Sequence, residues 1–196
     1  MISAAPRATP RCVECTARAR GNDALVSELL TNPRELFAVR LRQMLWVELQ
    51  QSEEVLPELL EQTHATYLRS AFRRHLVETG RHVTCLRTIL DESEVPAEPE
   101  ESAAFQGLAE EHERLVQQLP EDELVLRDVA HAHAASMTEL LEVAAYQSLT
   151  SLAETLDERA IAILLREVLE QEKHALEQFE RATAQLLAEK VESAPL

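Results

Sequence analysis

Three side chains capable of binding a metal, His75, Glu78 and His82, follow one another at spacings of three and four residues. An α-helix turns about 100° per residue, so side chains at these spacings share one face of a helix. His75 and His82 align with the apolar residues Phe72 and Leu86, while Glu78 lies at the edge of that stripe. Imidazole nitrogen and carboxylate oxygen suit iron or manganese, so the segment is a candidate part of a metal site.

Three other segments place glutamates at positions that an amphipathic helix would make apolar. Glu48, for example, lies three residues after Leu45 and falls within an apolar stripe. Burial of an uncompensated carboxylate is costly, whereas two divalent cations would balance four carboxylates. Di-metal four-helix bundles draw such glutamates from every long helix. The inward-facing glutamates of these segments are Glu48, Glu139, Glu142 and Glu172.

Each of these glutamates, taken singly, also fits a surface position, because a glutamate at the edge of an apolar stripe usually extends into solvent. The phase of the third long helix is open as well, since a competing apolar face contains Met137, Leu140, Leu141 and Ala144. In the fourth helix, Glu170 and His174 resemble a metal-binding pair, but Glu170 lies about 200° from Glu172 around the helix. We therefore predict that Glu172 faces the core and that Glu170 and His174 face solvent.

The composition favours long helices to carry these residues. The chain of 196 residues contains only 3 glycines, and it is rich in the strong helix formers alanine, leucine, glutamate, glutamine and arginine. A β-rich protein would need more glycine at its turns. Apolar periodicity predicts one domain over residues 22–190, with long helices at 33–62, 66–91, 121–156 and 157–190 and a short helix at 102–119.

Local signals predict where several helices begin or break. Asn32 and Pro33 predict a capped start with a first-turn proline. Pro57 predicts a kink or a break within the first long helix, and Asp157 predicts the cap of the fourth. Short connections join the helices of each half, and a long acidic crossover joins the halves. This order predicts an all-α, ferritin-like antiparallel four-helix bundle with a long crossover that carries a short extra helix.

Charge and composition argue against several classes of protein. The formal net charge is −16, and no basic stripe follows the N-terminal segment, so we predict no binding of nucleic acid. No apolar run is long enough to span a bilayer and no secretory signal pattern opens the chain, so we predict a cytoplasmic protein without membrane contact. The 3 cysteines fit a reducing compartment.

The two ends of the chain differ from the predicted bundle. Residues 1–21 carry prolines and arginines without helical periodicity, so we predict a mobile N-terminal tail, with a second short tail at 191–196. Cys12 and Cys15 have the spacing of half a zinc site or of a redox pair. No second pair follows, and the βαβ context of a redox motif is absent, so neither site is predicted.

The long helices resemble the bacterial YciE/YciF-type stress-associated ferritin-like family, a domain of unknown function. The resemblance covers about residues 35–185 and rests on segments in all four helices, in the right order. It implies a ferritin-like fold, a homodimer and a metal site that includes Glu48, Glu78, Glu139, Glu142 and Glu172. The segments that carry it are Leu45-Trp46-Val47-Glu48, His75-Leu76-Val77-Glu78-Thr79, Glu139-Leu140-Leu141-Glu142 and Leu169 to Lys173.

The chain departs from the family pattern at three places. Leu140 and Leu141 replace a His-Tyr pair, and Gln171 replaces the first glutamate of a Glu-Glu pair. His82 stands where a glutamine is common, and this change adds a candidate ligand. The predicted cofactors are two divalent metal ions, iron or alternatively manganese. The predicted metal ligands are Glu48, Glu78, His82, Glu139, Glu142 and Glu172.

Two functions fit these features. The first is a ferritin-like di-metal protein that binds or oxidises Fe(II) in a stress response. The second is a metal-free helical homodimer that acts as a protein-binding or structural stress module, which the lost ligands favour. A homodimer is predicted in either case, because the inner face of one bundle has too little room for all the apolar residues, among them Leu36, Phe37, Leu60 and Leu140.

Overall fold

The structure, a computed structural model, describes residues 29–192. Within that range every regular element is helical and no strand occurs, as the composition predicts. The predicted tail at 1–21, its cysteine pair and residues 193–196 lie outside the described residues. The elements are α1 (Pro33–Gln50), a π-helical turn (Gln51–Val55), α2 (Leu56–Gln62), α3 (Thr66–Glu92), α4 (Ala103–Gln117), α5 (Leu124–Thr155) and α6 (Arg159–Glu192).

These elements form the predicted ferritin-like four-helix bundle. The first long helix is α1 continued by the π-helical turn and α2, and the other three are α3, α5 and α6. The crossover between α3 and α5 carries α4, which packs against α5. None of the helices described is long and apolar enough to pass through a membrane.

The start of α1 follows the predicted capping pattern. The Asn32 side chain accepts a hydrogen bond from the backbone N–H of Glu35 at 3.0 Å. Pro33 stands in the first turn of the helix. The cap satisfies one of the backbone N–H groups that the start of a helix leaves without a partner.

The first long helix is interrupted directly before Pro57. Because proline has no backbone N–H, the α-helical hydrogen bond to the carbonyl of Glu53 cannot form. The backbone N–H of Leu56 instead donates to the carbonyl of Gln51, five residues earlier. This π-helical turn keeps Gln51 and Leu56 on the buried face, although a regular α-helix would place them about 140° apart. Ser52, which the apolar pattern places in the core, is only half-buried.

The connection between α5 and α6 corrects the expectation for Asp157. This residue has a left-handed φ of 60° and ends α5 instead of capping α6. The N–H of Glu158 donates to the carbonyl of Ala153 at 2.9 Å, and the N–H of Asp157 donates to the carbonyl of Glu154 at 3.2 Å. This is a Schellman motif, and α6 begins only at Arg159. Aspartate suits both a helix cap and a left-handed turn, so its presence does not separate the two.

The core of the bundle consists of two apolar clusters with a polar layer between them. Each long helix passes from one cluster to the other and contributes side chains to the layer as it does so. The first cluster includes Leu41, Leu45, Leu86, Leu149 and Leu165. The second cluster includes Leu56, Leu68, Phe72, Ala135, Ala175 and Phe179.

Candidate metal centre

Six ionisable side chains from all four long helices meet in the polar layer. Each is at most 2% exposed, so the layer is closed to bulk water. The six are Glu48 of α1, His75 and His82 of α3, Glu139 and Glu142 of α5, and Glu172 of α6. We refer to them together as the carboxylate–histidine cluster.

One half of the cluster surrounds His75. Ligand atoms of His75, Glu139, Glu142 and Glu172 all lie within 4.8 Å of one another. The Nε2 atom of His75 is 3.0 Å from Oε1 of Glu139. This group offers one nitrogen and three carboxylates, a donor set that could hold a divalent cation.

The other half of the cluster surrounds His82 and shares Glu172 with the first. Ligand atoms of Glu48, His82 and Glu172 again lie within 4.8 Å of one another. The Nδ1 atom of His82 is 3.3 Å from Oε1 of Glu48 and 2.9 Å from Oε1 of Glu172. Glu172 therefore belongs to both groups and stands between two places that could hold a metal.

Several polar atoms of the cluster are buried without a hydrogen-bond partner among the described residues. Buried polar groups are rarely left unpaired in a folded protein, because loss of hydration without replacement costs free energy. A cluster of such atoms therefore fits a bound ligand. The carboxylate oxygens that also lack a close contact with a histidine nitrogen are Oε2 of Glu48, Oε2 of Glu139, Oε1 of Glu142 and Oε2 of Glu172.

Three further side chains hydrogen-bond to the cluster, and sequence reasoning did not include them in the site. Gln51 of the π-helical turn donates from Nε2 to Oε2 of Glu142 at 2.7 Å. The hydroxyl of Tyr146 donates to Oε1 of Glu48. The Nε2 atom of His82 is 2.8 Å from Oε1 of Gln171.

The contact with Gln171 orients the ring of His82. An amide oxygen can only accept a hydrogen bond, so Nε2 of His82 carries a hydrogen. The Nδ1 atom is thereby directed at the carboxylates, and the contact of Nε2 with Gln171, outside the cluster, holds the ring in place. Gln171 stands where the family pattern has a glutamate, and in this chain it orients the ring of His82.

Five of the six predicted ligands lie in the cluster, and Glu78 does not. The side chain of Glu78 is 23% exposed, and its Oε2 atom is 3.9 Å from Nδ1 of His75. It lies about 60° around α3 from His75, which occupies the interior position in its place. The sequence feature that could have identified His75 as a ligand is its alignment with the apolar stripe of α3. The five that meet are Glu48, His82, Glu139, Glu142 and Glu172.

The predicted phase of α6 is confirmed. Glu172 is fully buried, whereas Glu170 and His174 are exposed. Glu170 accepts an ion-pair contact from Lys173 at 2.7 Å on the surface. The competing face of α5 is likewise resolved, since Met137 and Leu140 are exposed and the two glutamates of α5 are buried.

Burial holds protons on the glutamates of α5. Burial raises the pKa of Glu142 well above its usual value, and the neighbouring charges of Glu172 and Glu48 raise it further. Burial also raises the pKa of Glu139 to about 8, although the charge of His75 opposes this. A cation that binds here must therefore displace protons.

Glu172 behaves differently from the glutamates of α5. Burial acts to raise its pKa, but the hydrogen bond from His82 and the charges of His75 and His82 hold it below the usual value. For His82, burial acts to lower the pKa, while contacts with Glu172 and Glu48 raise it to about 11. Without a bound cation, Glu172 is therefore the carboxylate of the cluster whose ionised form the two histidines stabilise.

The model of one protein family matches residues 32–192, and its description is a domain of unknown function, DUF892. The chain belongs to the DUF892 family. Protein YciF of Escherichia coli is 34% identical over 124 residues, which span 63% of this chain and 74% of YciF. This relationship confirms the resemblance drawn from the four helical segments.

Solved structures agree with this assignment to the DUF892 family. The crystal structure of the E. coli stress protein YciF superposes with a TM-score of 0.74 at 29% identity, covering 81% of this chain and 99% of that chain. YcfI, a putative structural protein from Rhodopseudomonas palustris, gives a TM-score of 0.68 at 22% identity over 88% of this chain and 100% of its own. The second likeness shows the fold alone.

Proposed function

We propose that this DUF892 protein is a ferritin-like di-metal carboxylate protein that binds two divalent ions, iron or alternatively manganese, and takes up or oxidises Fe(II). The observation that carries the proposal is the pair of buried ligand groups that share Glu172. Four glutamates from three of the long helices exceed what the two histidines of the fourth can neutralise. Two divalent cations would satisfy both the charge and the unpaired oxygens.

The chain's own residues have distinct parts in this proposal. His75, Glu139 and Glu142 would hold one ion, Glu48 and His82 the other, and Glu172 would contact both. A bound iron centre would supply one-electron redox chemistry. The glutamates of α5 give up protons on metal binding, Gln171 orients the ring of His82, and Tyr146 keeps a proton directed at Glu48. The apolar clusters on either side exclude water.

The proposal of a role in a stress response rests on the relationship to YciF and not on the carboxylate–histidine cluster. The E. coli relative YciF is described as a stress protein, and we propose a related role for this chain in the cytoplasm. The cytoplasmic location itself stays a prediction.

Metal content tests the proposal directly. Purified protein is incubated with Fe(II) in air or with Mn(II), desalted and analysed for metal per chain. We expect close to two ions per chain for the wild type and for Glu170→Gln, whose side chain lies on the surface. Glu172→Gln removes the carboxylate shared by both groups and is expected to retain less than one. Far less than one ion in the wild type would refute the di-metal function.

The alternative function, a metal-free homodimeric stress module, is favoured by apolar side chains on the surface of one chain. Leu140 is 47% exposed and Met137, one turn earlier on α5, is 39% exposed. Of the other residues on which the dimer prediction rested, Leu36 is exposed and Phe37 is buried in the first apolar cluster. Leu60 packs against the second apolar cluster. The homodimer therefore stays a proposal that rests on fewer residues than the sequence indicated.

A further inference from the structure

A cavity of about 700 Å³ lies beneath the crossover helix α4. α4 packs along α5 and touches α1 through an edge-to-face contact of Phe105 with Trp46, whose ring centroids are 5.8 Å apart. It packs little against the π-helical turn and α2, so a space stays open between these elements. Cavities of roughly 300–1,000 Å³ are typical of small-molecule sites.

Apolar residues make up about half of the lining of this cavity, and polar or charged residues make up the rest. The apolar part of the lining can cover a ligand that has an apolar body. The apolar lining includes Val55, Leu56, Leu59, Leu108, Val116 and Ala135.

One end of the cavity reaches the carboxylate–histidine cluster. Gln51 lines the cavity, and its Nε2 atom is 2.7 Å from Oε2 of Glu142. A molecule at this end would be separated from the cluster by one side chain. Thr138, the residue before Glu139 on α5, lines the same end.

The other end of the cavity is lined by a positively charged side chain. Arg127 lines the cavity and precedes Thr138 by eleven residues on α5, a distance of about 17 Å at 1.5 Å per residue. Its guanidinium donates one long hydrogen bond, from Nη1 to the carbonyl of Val116 at 3.4 Å, and forms no ion pair with the residues described. An arginine without a carboxylate partner in a chain of net charge −16 has an unused capacity for an anion.

We propose that this cavity binds a medium-chain monocarboxylic acid, with the carboxylate on Arg127 and the apolar tail extended towards Gln51. The planar guanidinium matches a carboxylate with two parallel hydrogen bonds, and the apolar part of the lining covers the tail. Glu58, Glu110 and Glu113 also line the cavity and disfavour ligands that carry several negative charges. The site goes beyond the proposed metal function, because its binding groups lie outside the cluster.

Fluorescence of Trp46 measures this binding. It is the only tryptophan of the chain, and it contacts Phe105 of the cavity wall. The full-length protein, freed of metal with a chelator, is titrated with dodecanoate below its critical micelle concentration. We expect a saturable change in emission. Arg127→Gln should weaken dodecanoate binding by at least about tenfold and leave binding of the uncharged analogue 1-dodecanol unchanged.

Two further variants control the experiment. Arg87→Gln neutralises an exposed arginine of α3 and should leave dodecanoate binding unchanged. Ala134→Phe fills the cavity and should abolish binding of both probes, which decides the question even if Arg127→Gln does not fold. The proposal is overturned if wild-type protein gives no saturable response, if Arg127→Gln binds dodecanoate as Arg87→Gln does, or if a folded Ala134→Phe still binds. Metal loading is not needed, so a failed metal test leaves this result interpretable.

Discussion

Glu142→Gln should change the stability of the metal-free protein by no more than about 1 kcal/mol, the net contribution of one hydrogen bond, although it alters a fully buried acid. The raised pKa of Glu142, which results from burial and the neighbouring carboxylates, favours the protonated carboxyl. Glutamine has the same shape and can place its amide N–H where the acid O–H would be. Its oxygen can still accept the hydrogen bond from Gln51.

Glu172→Gln should behave in the opposite way. Glu172 is ionised and lies 2.9 Å from the ring of His82, so the substitution removes the nearer of the two carboxylates that contact this buried histidine. Breaking a buried ion pair in this manner costs about 3–5 kcal/mol. For a domain of this size, each kcal/mol lowers the Tm by about 2–4 °C, so a drop of roughly 6–20 °C is expected.

Thermal melts followed by circular dichroism at pH 7, with and without Mn(II), measure both effects. Binding at a hundred times Kd adds about 2.7 kcal/mol of stability, and this gain should appear in the wild type and in the surface control Glu170→Gln. Glu142→Gln should lose most of the gain, because it cannot ionise to bind a cation. If Glu142→Gln destabilises the metal-free protein as much as Glu172→Gln does, Glu142 is ionised and the electrostatic reasoning is wrong.

Three other predictions follow. Between pH 6.5 and 8 the metal-free protein should lose stability as pH rises, by about 1.4 kcal/mol per pH unit for each proton that only the folded chain keeps, because the pKa of Glu139 is raised to about 8 and that of His82 to about 11. Below pH 6.5 this loss should level off, because burial lowers the pKa of His131 to about 4 and the proton that only the unfolded chain gains there offsets the contribution of Glu139; urea titrations should find that Glu139→Gln weakens the loss above pH 6.5 and that His131→Gln strengthens the loss below it. Gly80→Ala should raise the unfolding free energy by about 0.5–1 kcal/mol, since an added Cβ meets no atom within 4 Å, and an unchanged or lower urea midpoint would contradict this. Light scattering at micromolar concentration should find a dimer for the wild type and a monomer for Leu140→Glu, and a wild-type monomer would remove the proposed interface.

The sequence by itself determined the helices and which face of most of them is buried, although it left the phase of the third long helix open. Helical phase is a local property, because residues three, four and seven apart share a face whatever the helix packs against. It was sufficient to place Glu48 and Glu172 in the core and to reject Glu170, two residues away from Glu172. The sequence also predicted the crossover between the two halves, since the length of a connection limits which helices can be antiparallel neighbours.

Only the tertiary structure decided which inward groups contact one another. Glu78 and His75 differ by about 60° around α3, and packing against the neighbouring helices admits His75 and leaves Glu78 at the edge. Gln51 replaces Ser52 on the buried face because the backbone before Pro57 adopts a π-helical turn, which the apolar pattern does not encode. Contacts such as that between Gln51 and Glu142 join residues 91 positions apart, and spacing along one helix carries no information about distances between helices.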